Sequence, residues 1–338
     1  MSEVLAQAIV IPFVFAALIS VPSIILYAIE AVLLIKHWKK FKSAFFRLFI
    51  ARFVSNFLNY FCSYIYMRFG RVGLFADFFE KFPTRLLSFF FFSYYYNYHA
   101  ENMSTFFILL NRFTVIFLPT THTKLWKYLL PVTVIIIFLS PFPFTYADLF
   151  YDFYIRRQED KWTYTIALHV EGNIEDYLNV PYIAAVCSVI FCIASLILNL
   201  ASILVYKYKK KFRVNPVGLE EQKVELRLTI YALITFLAQL LLAIYTILIS
   251  IASSNLEVYN LFLITFNQMP WINDLATIVV PSWCMLWASA DVRTLVFDAL
   301  GLMLKAGGEE SRISSTGRLF IGRKRIQPTT ATQTINSS

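Results

Sequence analysis

Charge is scarce in this chain. Only 15% of its 338 residues are charged, where soluble domains carry about 25%. Hydrophobic residues fill 58% of it, and Phe alone accounts for 34 positions. That balance excludes a water-soluble globule and an intrinsically disordered chain alike. Cysteine is scarce too: four in 338 residues do not make a secreted disulfide scaffold. All four (Cys62, Cys187, Cys192 and Cys284) fall inside apolar runs. The histidines His37, His99, His122 and His169 share no ligand spacing, so neither a metal site nor a cofactor is expected. P-loop, GxSxG and HExxH patterns are missing. A membrane aspartyl protease needs two facing Asp residues, and only Asp274 is available within a span. An enzyme is therefore not expected. No internal repeat splits the chain into the inverted halves that many transporters use. The first eight residues carry Glu3 and no basic residue, and the apolar run behind them outlasts a signal-peptide core. A first membrane helix is expected there instead.

What remains is hydrophobic length. A helix needs about 20 mainly apolar residues to cross the hydrocarbon core. Seven stretches supply them, at 9–35, 48–66, 86–110, 128–146, 180–205, 228–251 and 270–290. The expected fold is an all-α membrane protein, a seven-transmembrane helix bundle over 9–290. Arg52 weakens the second stretch, Glu101 the third, and Asn273 with Asp274 the seventh. Orientation follows from the positive-inside rule. With the N-terminus outside, the inner segments hold 22 Lys and Arg against 7 in the outer ones. Residues 1–8 are then extracellular, and the loop from Ala147 to Leu178 is outside and net negative. The basic run Lys207, Lys209, Lys210, Lys211 and Arg213 lies inside. Next to a span such a run is an orientation signal and a contact for anionic lipid; no nucleic-acid partner is expected.

Ionisable side chains within spans are expensive and face the bundle interior. Glu30, near the cytosolic end of the first span, reads as a snorkelling or ion-paired end residue. Glu101 precedes Arg112 by eleven residues, which is three helical turns and about 16 Å. Tyr94, Tyr98, Glu101, Thr105 and Arg112 therefore form one stripe of the third span. The stripe is either core filler or the wall of a central cavity. In the second case Tyr94, Tyr98, Glu101 and Asp274 are the candidate ligand-binding residues. Asp274 reads as solvated loop or as part of an outer vestibule. Pro281, in mid-span, marks a helix kink. After the last span, Val292, Leu295, Val296, Ala299 and Met303 recur at amphipathic spacing. A short cytosolic helix over 291–304 is expected, lying along the inner leaflet. The Gly-, Ser- and Thr-rich stretch 305–338 reads as a disordered tail.

Several short patterns then fall in a characteristic order. They are Asn111-Arg112-Phe113, followed by Pro119 and Trp126; Glu225-Leu226, leading to Phe236 and Gln239; Pro281-Ser282-Trp283; and Ser289, followed by Arg293. In this order, from about Ile9 to Phe297, the chain resembles the nematode serpentine receptor class gamma, a family of G-protein-coupled-receptor-like chemoreceptors. Asn111 stands where the commoner rhodopsin-like receptors have an acid, so no acid adjoins Arg112. The resemblance implies a plasma-membrane receptor of chemosensory neurons. It would bind a small-molecule cue such as an odorant or pheromone and signal through a heterotrimeric G protein. Coupling would fall to Asn111, Arg112 and the basic residues Lys209, Lys210, Lys211 and Arg213. The rival readings are a ligand-gated channel, whose insect olfactory form places the N-terminus inside, and a membrane transporter.

Overall fold

The computed structural model describes residues 3–157, 163–169, 180–212, 219–253 and 259–309. The described residues up to Val296 fall in one compact unit and those from Phe297 in a second. Each of the seven apolar stretches lies mainly in helix, with breaks at Ser140–Pro141 in the fourth and at Ser289 in the seventh. The helices are α1 (Glu3–Lys36), α2 (Ala44–Ser63), α3 (Thr84–Phe117), α4 (His122–Leu139), α5 (Val180–Phe212), α6 (Leu219–Ser253) and α7 (Tyr259–Asp274), which leads into α8 (Val280–Ala288). A further helix, α9, follows as Ala290–Glu309. On length and composition, four described helical segments are apolar enough to cross a membrane: Ile9–Lys36, His122–Leu149, Tyr182–Tyr208 and Val224–Ile249. The bent pair Phe266–Ala288 and Ala290–Gly301 makes a fifth if counted as one. Neither α2 nor α3 is among them, and the reason is visible in what they carry: Arg52, Asn56 and Asn59 on one, His99, Glu101 and Asn102 on the other. All six side chains are buried.

Burial is inverted relative to a soluble protein. Fully buried positions include Glu30, Arg52, Arg68, Glu101 and Asp274, while Ile11, Leu18, Val32, Ile135, Ile190, Ile197, Leu204, Leu237 and Leu248 are exposed. In water this arrangement loses on both counts. Surrounded by lipid it is the stable one, because Arg52 pairs with Glu101 and Arg68 with Asp274 inside, and the apolar groups meet chains of their own kind. The chain is a multi-pass membrane protein.

Several expected boundaries move: the helix of the fourth stretch ends at Leu139 rather than 146, α9 runs to Glu309, five residues into the stretch expected as a disordered tail, and two further shifts reposition charged residues. The second stretch does not stop at Tyr66. It continues through a π-helical turn, Tyr64–Arg68, to Arg71, and so carries Arg68 and Arg71 inward. The last stretch begins at Tyr259 rather than 270, and a second π turn, Leu275–Val279, joins α7 to α8. The all-α expectation also needs correction. Residues Phe153–Arg157 (β1) and Tyr164–Leu168 (β2) form an antiparallel hairpin, with Phe153 opposite Leu168 and Ile155 opposite Ile166. Alternating aromatic and β-branched residues suit a half-buried strand pair. Phe153, Tyr164 and Ile166 are its buried side chains, and Phe153 stacks on Phe91 of α3 at 4.4 Å. Gly70 lets the hairpin settle on the end of the second stretch, since a Cβ there would strike the Tyr164 carbonyl. On the hairpin's exposed side Arg157 binds Asp77 and Glu80, both at 2.5 Å, and its hydrogen bond holds the Glu80 carboxyl below the usual carboxylate range.

Prolines are accommodated by side chains from neighbouring helices. Pro281 has no N–H to give the carbonyl four residues earlier, that of Thr277. Asn56 Nδ2 donates to that carbonyl instead, at 2.6 Å. Asn56→Ala is expected to orphan it and to destabilise the bundle by about 1–3 kcal/mol. Thermal unfolding in detergent measures this, and an unchanged midpoint would show that the bond contributes nothing. At the other end of α8, Ser289 leaves helical geometry (φ −110°, ψ 109°), and its Oγ accepts the Val292 N–H at 3.3 Å as the N-cap of α9. The Arg293 guanidinium turns back to the Trp287 carbonyl at 3.3 Å. Val292 and Val296, two of the positions expected on the apolar face, are buried.

Candidate functional site

The inward stripe of α3 organises the polar interior. Tyr94, Tyr98, Glu101, Thr105 and Arg112 are all buried, as residues sharing one helical face must be when that face meets other helices. Among the described residues, three ion pairs built on a buried arginine with a partner from another helix are distributed along the bundle.

In the first, Arg68 Nη2 donates to Asp274 Oδ1 at 2.5 Å and Nη1 to Oδ2 at 2.7 Å, a two-pronged contact. The pair is almost wholly excluded from solvent. It sits where both π turns meet, since Arg68 ends one and Asp274 immediately precedes the other. Wider turns of this kind re-aim side chains and recur at functional sites. Arg68 also lies over the rings of Tyr64 and Tyr60, at 4.5 and 5.4 Å. Beside the pair, Asn59 Nδ2 donates to the Tyr94 carbonyl at 3.0 Å.

In the second, Arg52 of α2 donates through Nη2 (2.5 Å) and Nε (2.9 Å) to Glu101 Oε1 of α3. Gln239 of α6 donates to the same oxygen, and Thr105 lies 3.4 Å from it. One carboxylate thus ties three helices together. In the third, Arg112 Nη1 donates to Glu225 Oε2 of α6 at 2.8 Å, and its Nη2 to Asn111 Oδ1 at 2.7 Å. This pair is lopsided: 4% of the Arg112 side chain is exposed and 44% of Glu225. Nearby, Trp126 of α4 donates to Thr114 of α3 at 2.8 Å and pins the two helices.

The expected ligand residues are therefore inside the bundle, and each has partners. Tyr98 is 2.7 Å from Ser188 of α5 and 3.2 Å from Thr246 of α6. Tyr94 reaches Met269 sulfur at 3.8 Å and packs on Tyr66 at 5.2 Å. Asp274 is not solvated loop. The extra turn that carries Arg68 inward gives its carboxylate a partner that is lost from view if the second stretch is ended at Tyr66. Glu30 does not snorkel: it is fully buried, and among the described residues both carboxylate oxygens lack a hydrogen-bond partner. Its helix turns that position inward. Lys209, Lys210 and Lys211 fall in the last turn of α5, but their side chains, like all of Arg213, lie outside the described residues. The tail beyond Glu309 and residues 170–179 of the acidic loop do so as well. Among the described residues no group of three His, Cys, Asp or Glu side chains is placed to hold a metal ion.

Arg52 and Arg68 were missed as partners. Arg52 had a signal, since a lone Arg and a lone Glu in neighbouring spans need each other. Arg68 had none, because its inward aim depends on a local change of helical pitch.

Two comparisons with known proteins bear on what this chain is. A sequence model of the Srg family chemoreceptors matches residues 13–296. The protein named serpentine receptor class gamma-31, from Caenorhabditis elegans, is 26% identical over 230 residues, covering 63% of this chain and 68% of the relative. The family model spans most of the chain, and on that extent the chain belongs to the Srg family of chemoreceptors.

Proposed function

We propose that the protein is a chemosensory receptor of the plasma membrane that binds a small molecule in the outer half of a seven-span bundle and activates a heterotrimeric G protein at the inner face. Residues 1–8 are extracellular, the spans occupy 9–290, α9 lies along the inner leaflet, and 305–338 form a cytosolic tail. The count of basic residues supports that orientation more strongly once Arg68 and Arg71 are removed from the outer loops, because both are buried. Tyr94, Tyr98 and the neighbourhoods of Glu101 and Asp274 form the ligand region. Asn111, Arg112 and the basic end of α5, Lys209 to Arg213, meet the G protein. Sensory neurons are the expected site of expression.

The observation that carries this reading is the Arg112–Glu225 pair. It joins α3 to α6 where the stripe ends, and one of its partners is already half in water. Such a pair can be broken at low cost when α6 moves, and breaking it frees a guanidinium for a partner protein. A ligand drives that step only as far as it binds one arrangement better than the other. The test has two arms. An N-terminal epitope tag on intact cells is expected to be antibody-accessible. Cells carrying a G-protein dissociation sensor are expected to respond to a member of a chemical library, and Arg112→Ala to abolish the response with surface expression retained. A buried tag would overturn the orientation. A ligand-evoked ionic current without G-protein dissociation would overturn the coupling and favour the channel.

A further inference from the structure

Among the described residues, the buried arginines of this bundle sit in ion pairs, with one exception. Arg52 is matched by Glu101, Arg68 by Asp274 and Arg112 by Glu225. Arg71 is 9% exposed, and among the described residues it forms no ion pair. Its Nη1 donates to the Phe266 carbonyl at 2.5 Å and its Nη2 meets Met67 sulfur at 2.9 Å, while Nε has no partner. The guanidinium also lies over the Phe266 ring, 3.7 Å from its centroid. Arg68, already matched by Asp274, acts on Arg71 as a second guanidinium. Asp148 is buried and shares Tyr66 as an electrostatic neighbour with Arg71, but it forms no ion pair with it and its Oδ2 is unpartnered.

A structural duty does not account for the charge. The Phe266 carbonyl needs a donor because Pro270, four residues on, has no N–H to offer it. The same need at Thr277, created by Pro281, is met by the neutral amide of Asn56. A neutral donor therefore suffices, and the positive charge at position 71 is surplus to the capping task. An unmatched buried guanidinium is costly, and its planar donor set fits a carboxylate. The surroundings fit an apolar body attached to that carboxylate. Tyr66, Tyr94 and Tyr245 stand within electrostatic reach of Arg71. Tyr66 also packs on Phe91 at 5.0 Å, and Phe91 on Phe153 of the hairpin.

We propose that Arg71 anchors the ligand, and that the ligand is a small organic carboxylate whose aliphatic or aromatic body lies against the Tyr66–Tyr94 wall beneath the hairpin. This names the ligand class of the outer region and rests on the receptor reading only for the consequence of binding.

The experiment uses the full chain in phosphatidylcholine nanodiscs, which contain no anionic headgroup. The probes are heptanoate, decanoate, phenylacetate and indole-3-acetate, each compared with its primary amide by calorimetric titration. At least one acid is expected to bind roughly tenfold or more tighter than its amide, the factor set by one charge-assisted hydrogen-bonded contact. Arg71→Gln is expected to erase the preference, and Arg71→Lys to keep it in weakened form. Should the Gln variant fail to fold, the wild-type preference and its weakening in the Lys variant still decide the matter. Equal affinity for acids and amides, no binding of any acid, or an acid preference untouched by either substitution would each overturn the site. Arg71-dependent binding that never activates a G protein would leave the site standing and sink the receptor reading. Activation by neutral cues alone, independent of Arg71, would do the reverse.

Discussion

Arg52→Ala and Glu101→Ala are each expected to lose about 3–5 kcal/mol of stability, the cost of leaving one buried charge without its partner. Detergent-solubilised single variants should show a sharply lowered unfolding midpoint and a reduced monodisperse fraction. Replacing both residues with apolar ones, as Arg52→Met with Glu101→Leu, should recover most of that loss, because it removes the stranded charge along with the pair. The recovery should be incomplete. Gln239 donates to the same carboxylate from α6, and the double variant strands that amide. Single variants as stable as the wild type would mean that water reaches the pair in solution and that this part of the interior is wet. The same geometry changes what Glu101→Gln would mean in a ligand assay. A weakened response is expected first through the loosened α2–α3–α6 junction, so unfolding must be measured beside any dose-response curve.

Glu225→Gln is expected to raise ligand-independent G-protein activity. The carboxylate is half exposed, so losing its charge changes the balance between closed and open inner faces by on the order of 1 kcal/mol, roughly fivefold in population. Arg112→Ala moves the other way in function. It releases the same joint but also removes the cation proposed to meet the G protein, and evoked signalling should vanish. The two variants thus separate a lock from a contact. High basal activity in Glu225→Gln with silence in Arg112→Ala supports both roles for Arg112. Basal activity that rises equally in both would leave Arg112 as a lock alone. No rise in either would remove the pair from the switching mechanism. Phe45, over which the Arg112 guanidinium lies at 4.4 Å, keeps the arginine partly held after the acid is neutralised. Asn111 does so as well, which limits the expected rise.

How legible this was varies residue by residue. The polar stripe of α3 could be read because α-helical period alone puts Tyr94, Glu101 and Arg112 on one side, and an acid on that side cannot face lipid. The charges that blurred the span assignments were themselves the information: Arg52 weakened one stretch and Glu101 the next, and they bind each other. Asp274 was harder. Its partner Arg68 comes 206 residues earlier in a segment that hydropathy alone gives to a loop, and only the π turn at Tyr64–Arg68 brings it inside. The hairpin was missed because its strands are five residues long and lie in a loop read for charge. The roles of Asn56 and Arg71 follow from prolines plainly present in the sequence, yet which side chain answers each freed carbonyl depends on which helices are neighbours.

Composition and periodicity by themselves determined that this chain belongs in lipid, where its apolar stretches run, and which face of α3 turns inward, because these depend on solvent preference and on a local repeat of 3.6 residues. Only the tertiary structure decided which buried charge meets which, and that Arg71 meets none among the described residues. Ion pairing acts over a few ångströms between segments tens to hundreds of residues apart, and a quarter-turn change in helical pitch is enough to choose a different partner.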